Sequence, residues 1–167
     1  MKTAIRSFGL VIVLCVIAVG ECAGQETVKV RERINTIISE SIKRCEFTTA
    51  DGLKAITRVP PSAEHMEEIK GYGDQAVQPL EQHLWSENAL EYEFAMRFMG
   101  GLGGERIIAP LETIALYNQS ARKREYALRW LTQGSWELAR KVISQAAEND
   151  RDQGVRNVAK ELLAGRP

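Results

Sequence analysis

The sequence predicts an all-α chain, built for most of its length from one repeated helix–turn–helix unit. Three observations predict it. No stretch after residue 24 sustains the period-two alternation of half-buried strands. Apolar residues instead recur at helical spacing in segments of about 10 to 20 residues, separated by Gly, Pro, Ser, Asn and Asp. Finally, "EFAMRFM" at 93–99 matches "EYALRWL" at 125–131 position by position, 32 residues further on.

The chain opens with Lys2 and Arg6, then an apolar run from Phe8 to Val19 interrupted only by Gly9, then the small residues Gly20, Ala23 and Gly24. That order is expected of a secretory signal peptide over 1–24, cleaved after Gly24. The run is too short to span a bilayer comfortably, so a secreted or periplasmic chain with no stable membrane insertion is expected. "VGEC" offers lipid attachment at Cys22 as an alternative, with Glu21 standing where a small residue is wanted. Loss of Lys2, Arg6 and Glu21 leaves 20 basic and 21 acidic residues. That balance provides no field for gathering nucleic acid, and no nucleic-acid partner is expected.

Residues 27–46 read as one long amphipathic helix whose apolar stripe is Val30, Ile34, Ile37, Ile38, Ile42 and Cys45. With Cys15 and Cys22 gone, Cys45 stands alone and is read as a small buried hydrophobe, a cross-link between two copies being the alternative. A short helical piece at 50–58 is expected next, stopped by Pro60 and Pro61, because proline disfavours helical geometry in the residue before it. Residues 25–61 are thus expected to be capping helices, and 62–164 the repeat domain. Ser62 can cap a helix over 63–70, which breaks at Gly71-Tyr72-Gly73, and Asp74 is an expected N-cap for 75–85. The remaining helices are expected at 87–99, 105–116, 120–132, 135–148 and 153–164.

A unit of this length cannot bury its apolar face alone. In the first helices the stripe is Phe94, Ala95, Phe98 and Met99, then Tyr126, Ala127, Trp130 and Leu131; Ala159 continues the series in "NVAKELL". In the second helices it is Val77, Leu80 and Leu84, then Ile108, Leu111 and Ala115, then Leu138, Val142 and Ala146. Stacking the units merges both stripes into one core. Pro79 and Pro110 fall near the start of second helices, where a missing N–H costs little.

"YGDQAVQPL", "LGGERIIAPL" and "GVRNVAKELL" resemble the short HEAT-like repeats found in phycobilisome lyases and many bacterial proteins. The resemblance covers about residues 62–164. It departs from the pattern at Gly104, where aspartate is usual, and in the third unit, which lacks the proline. It implies a short α-solenoid of the armadillo type with an N-terminal helical cap, and it implies no activity, because such repeats serve many functions.

"FMGGLGGERI", 98–107, follows an amphipathic helix rather than a strand, so its glycines read as an inter-helix turn and not as a phosphate loop. His65 and His83 are isolated, and a surface pair of His65 with Glu68 is expected instead of a metal site. Ser135 lacks a nucleophile elbow and reads as a helix cap. "ARKRE", 121–125, reads as a solvated basic face, and Asn118-Gln119-Ser120 fits the glycosylation pattern. Trp130 is expected in the core, with Trp85 and Trp136 as interface anchors. No catalytic residue, metal or cofactor is assigned.

In solenoids the second helices line the inner wall. By phase against the stripes, Gln78, Glu81, Glu112, Thr113, Arg140 and Ser144 face outward there and form the expected binding surface. The expected function is an exported, non-enzymatic scaffold that binds a protein or peptide partner. The alternatives are a lyase-like accessory protein that handles a chromophore, and an envelope protein that self-associates through its end repeat.

Overall fold

The computed structural model describes residues 25–52 and 54–165. The expected signal peptide, and with it Cys22, lies outside the described residues. The elements are α1 (residues 25–43), β1 (Glu46–Thr48), β2 (Lys54–Ile56), α2 (Ala63–Tyr72), α3 (Val77–Leu84), α4 (Ala89–Leu102), α5 (Ile108–Tyr117), α6 (Ala121–Leu131), α7 (Trp136–Asn149) and α8 (Gln153–Ala164). The described chain is mostly helical, as the apolar spacing requires.

The expected helix at 50–58 is not there. Instead β1 and β2 pair as a small antiparallel hairpin in which Phe47 faces Ala55 and Glu46 faces Ile56. Gly52 supplies a positive φ of 84° in its loop, and its N–H donates to the Thr49 carbonyl at 2.9 Å. Local chemistry explains the outcome. Thr48, Thr49, Ile56 and Thr57 are β-branched, and Asp51-Gly52 is a turn pair. Three-residue strands are too short for their alternation to register against a helical pattern.

The helices pack in two rows. In one, α2 touches α4, α4 touches α6 and α6 touches α8; in the other, α3 touches α5 and α5 touches α7. The most extensive contacts join the rows within the pairs α3–α4, α5–α6 and α7–α8. One apolar core runs between them and includes Leu80, Phe98, Leu111, Ile114, Leu128, Leu131, Ile143 and Val155. The alanines at 95, 127 and 159 are completely buried, so neighbouring backbones approach closely at each. Ile34, Ile37, Ile38 and Cys45 belong to the same core, which makes α1 part of the packed body. Cys45 is a free, buried thiol, in agreement with its reading as a small hydrophobe.

Polar ties hold α1 against α2. Arg33 grips Glu68 through two bonds of 2.7 and 2.8 Å, and Tyr72 donates to the same carboxylate at 2.9 Å. The Arg33 guanidinium holds the Glu68 carboxyl below its ordinary range. His65 therefore does not pair with Glu68 as expected; its ring meets Glu40 at 3.1 Å and the buried Ser41 hydroxyl at 3.4 Å. His83 similarly joins Glu91, at 2.5 Å, to Asn35 of α1, at 2.8 Å.

Turns between helices take two forms. At one edge the pattern recurs every 32 residues: the side chains of Ser86, Asn118 and Asp150 accept from the backbone N–H of Asn88, Ser120 and Asp152 respectively. Those three residues then cap the next helix with their own side chains, Asn88 and Asp152 each accepting from two first-turn N–H groups and Ser120 from one. At the opposite edge glycine dominates. Gly103 and Gly104 have φ of 61° and 72°, conformations that only glycine adopts without strain, and Gly104 bridges to the backbone of Gly134.

"FMGGLGGERI" is consequently split. Gly100 and Gly101 belong to α4, and only Gly103 and Gly104 make the turn. A methyl at Gly100 would come within 2.0 Å of the Trp130 ring, and one at Gly101 within 2.2 Å of the Met66 sulfur. Both are glycine so that α6 and α2 can seat large side chains against α4. Asp74 is not the expected N-cap. It lies within a 3-10 turn, Gly73–Ala76, that leads into α3, and it pairs with Arg106 at 2.9 Å across to the following glycine turn. Ser62 does cap α2, accepting from the His65 N–H at 3.1 Å, whereas Ser135 stands at the N-cap position of α7 with no side-chain cap bond.

Candidate functional site

The six residues expected on the inner wall all lie on the α3–α5–α7 row. Gln78 and Arg140 are exposed, and Glu81, Glu112, Thr113 and Ser144 are half-buried. The Thr113 hydroxyl is occupied by the Ala109 carbonyl at 3.0 Å, which removes its donor from any ligand. Arg140 and Ser144 share one shallow depression along α7 with Trp136, Lys141 and Glu148. Trp136 is half-buried within it, and Trp85, at the end of α3, is exposed. The row thus presents a mixed-charge surface with Trp136 inside the depression and Trp85 apart from it, at the end of α3.

The basic stretch 121–125 is not one solvated face. Arg124 is buried, its guanidinium held by both Asp150 oxygens at 2.8 Å and by the carbonyls of Asn118 and Gln119 at 2.8 and 3.0 Å. Burial works to raise the Asp150 carboxyl. Bonds from Arg124 and from the Asp152 N–H outweigh it and hold the group below its ordinary range. Arg151 adds a bond to the Gln119 carbonyl at 2.9 Å, so successive turns of the polar edge are tied by cations. Asn118, which fits the glycosylation pattern, is buried in the same network, its side-chain Oδ1 accepting from the Ser120 backbone N–H.

Lys123 is also engaged. Its ammonium donates to the Ser86 carbonyl at 2.8 Å and lies 5.1 Å from the centre of the Tyr92 ring, a cation–π arrangement. The Tyr92 hydroxyl donates to the Lys123 carbonyl at 3.0 Å, and burial pushes its ionisation far above the usual tyrosine range. Tyr126 packs beside it, ring centres 6.2 Å apart. These two tyrosines line a pocket of about 200 Å³ between the starts of α4 and α6, with Arg58, Glu93, Arg122 and Lys123 among its other walls.

That pocket joins the loop after the hairpin to two helices, so no spacing within a single segment announces it. Its one sequence signal is the break in the repeat itself. Tyr126 stands where the previous unit has Phe94, and Tyr92 stands where the next has Arg124. Among the described residues no group of three or more His, Cys, Asp or Glu side chains is placed to hold a metal ion. No described helix is long and apolar enough to cross a membrane. No family model matches the chain, and neither a curated protein nor a solved structure matches it.

Proposed function

We propose that the chain is an exported, non-enzymatic scaffold, a short α-solenoid of HEAT-like units closed at one end by α1 and the hairpin, that binds a protein or peptide partner on its concave surface. The observation that carries this reading is the 32-residue recurrence of one turn, at 86–88, 118–120 and 150–152, each launching a helix of the same row. Repeated units stacked side by side provide an extended wall, here the α3–α5–α7 row with Gln78, Glu81, Glu112, Thr113, Arg140 and Ser144. Its depression around Trp136 has the aromatic and arginine content that dominates protein interfaces.

The carboxylates with displaced ionisation support a binding role over catalysis. Glu68, Glu91 and Asp150 are each committed to an inter-element tie, with Arg33, His83 and Arg124 respectively, and not to one shared cleft. A photo-crosslinking residue placed at Gln78, Glu112 or Arg140, and as controls at Arg129 or Lys160 on the other row, tests the wall. The same adduct from all three wall positions and none from the controls is expected. Adducts from the controls alone, or no adduct from the wall, would overturn the assignment.

A further inference from the structure

We propose that the pocket between the starts of α4 and α6 binds a single carboxylate borne on an apolar or aromatic body of about one residue's size. This site is separate from the α3–α5–α7 wall and goes beyond the scaffold reading. Its volume, about 200 Å³, is below that of pockets built for larger ligands. Its walls include the rings of Tyr92, which is buried, and Tyr126, which is half-buried and supplies ring surface for an apolar body.

Charge decides the other half of the ligand. Glu93 is paired with Arg97 at 2.7 Å, outside the pocket wall, which offsets its charge toward an anion. Three cations remain on the walls, Arg58, Arg122 and Lys123. Against them stands Glu87, fully open to water and 3.8 Å from Lys123. Arg58 reaches Glu93 only at 3.6 Å with more than half its side chain exposed, and Arg122 makes no ion pair among the described residues. A planar guanidinium free at the mouth of an aromatic pocket matches a carboxylate in two parallel bonds. A cationic ligand would meet the same surplus as repulsion.

The carboxylate has two sources, a peptide C-terminus or a free small acid, and the probes separate them. Isothermal titration of the purified protein would use a tetrapeptide ending in phenylalanine, the same peptide as its C-terminal amide, and 3-phenylpropionate. The acid forms are expected to bind saturably and the amide at least tenfold more weakly. A peptide acid that binds tenfold better than phenylpropionate identifies a chain terminus; equal affinities identify a free acid.

Arg122→Gln and Arg58→Gln, both at exposed positions, should each weaken binding at least fivefold, while Arg129→Gln, further along α6, should not. Ala89→Leu fills the pocket from an exposed position at the start of α4 and should abolish binding with the fold intact by circular dichroism. Amide and acid binding alike, equal loss in Arg122→Gln and Arg129→Gln, or no saturation up to about 10 mM of either acid would overturn the proposal. None of these outcomes depends on whether the wall crosslinks to a partner.

Discussion

The two edges of the helical stack solve one problem by opposite means. At the edge carrying residues 86–88, 118–120 and 150–152, the chain turns by satisfying its open backbone groups with side chains, and charged residues then tie one turn to the next. At the edge carrying Gly103, Gly104 and Gly134, it turns by removing side chains altogether. The first device relies on hydrogen bonds and ion pairs at every turn, the second chiefly on close contact, with Asp74–Arg106 as an ion pair across it. The polar edge should therefore answer to charge and pH, and the glycine edge to volume.

The largest effect expected is at the polar edge. Asp150→Ala leaves the Arg124 guanidinium buried without its counter-charge, which should cost about 3–5 kcal/mol in urea denaturation. Replacing the pair together, Arg124→Met with Asp150→Leu, should recover part of that loss; a double variant no more stable than Asp150→Ala would show that the neighbouring carbonyls, not the ion pair, carry the turn. The same pair sets an acid limit. Asp150, Glu68 and Glu91 all ionise below their ordinary range in the folded chain. Their contribution is complete above the unfolded carboxylate range, near pH 4, and is lost as pH falls through the lower folded values. Asp150→Asn should flatten that acid limb in pH-dependent melts.

The glycine edge should give smaller, volume-dependent losses. Gly100→Ala drives a methyl into the Trp130 ring and should cost about 1–3 kcal/mol. Gly101→Ala meets only the thioether of Met66, which can swing aside, and alanine's better helix propensity of about 1 kcal/mol offsets the contact. Its net effect should be close to zero, and equal losses at both positions would mean that α4 cannot accept any side chain there. The smallest change is a gain. Gly71, in the last turn of α2, has nothing within 4 Å of an added methyl, so Gly71→Ala should stabilise by about 0.5 kcal/mol.

Periodicity made the helices legible, because burial of one face imposes the spacing of apolar residues whatever the neighbours are. The helix expected at 153–164 is observed as Gln153–Ala164, and the stripe residues Leu80, Phe98, Leu111, Leu131 and Ala159 are all fully buried. What stayed hidden depends on partners distant in the chain. Arg124 reads as one more cation on a basic helix until Asp150, 26 residues on, buries it. Asp74 reads as a cap until Arg106 claims its carboxylate. The pocket needs Arg58, Tyr92 and Lys123 from three separate segments, and the hairpin is too short to display a period. Local rules describe what a segment wants. They do not describe which distant side chain reaches it first.

The seating of Trp130 on Gly100 also constrains the order in which this sequence can change. The two positions lie 30 residues apart, on different helices, and share one volume. A side chain at 100 costs less once the residue at 130 has shrunk, so Trp130→Leu should lower the penalty of Gly100→Ala. The effects of the two substitutions should therefore not add, and a survey that scores them one at a time misses the coupling.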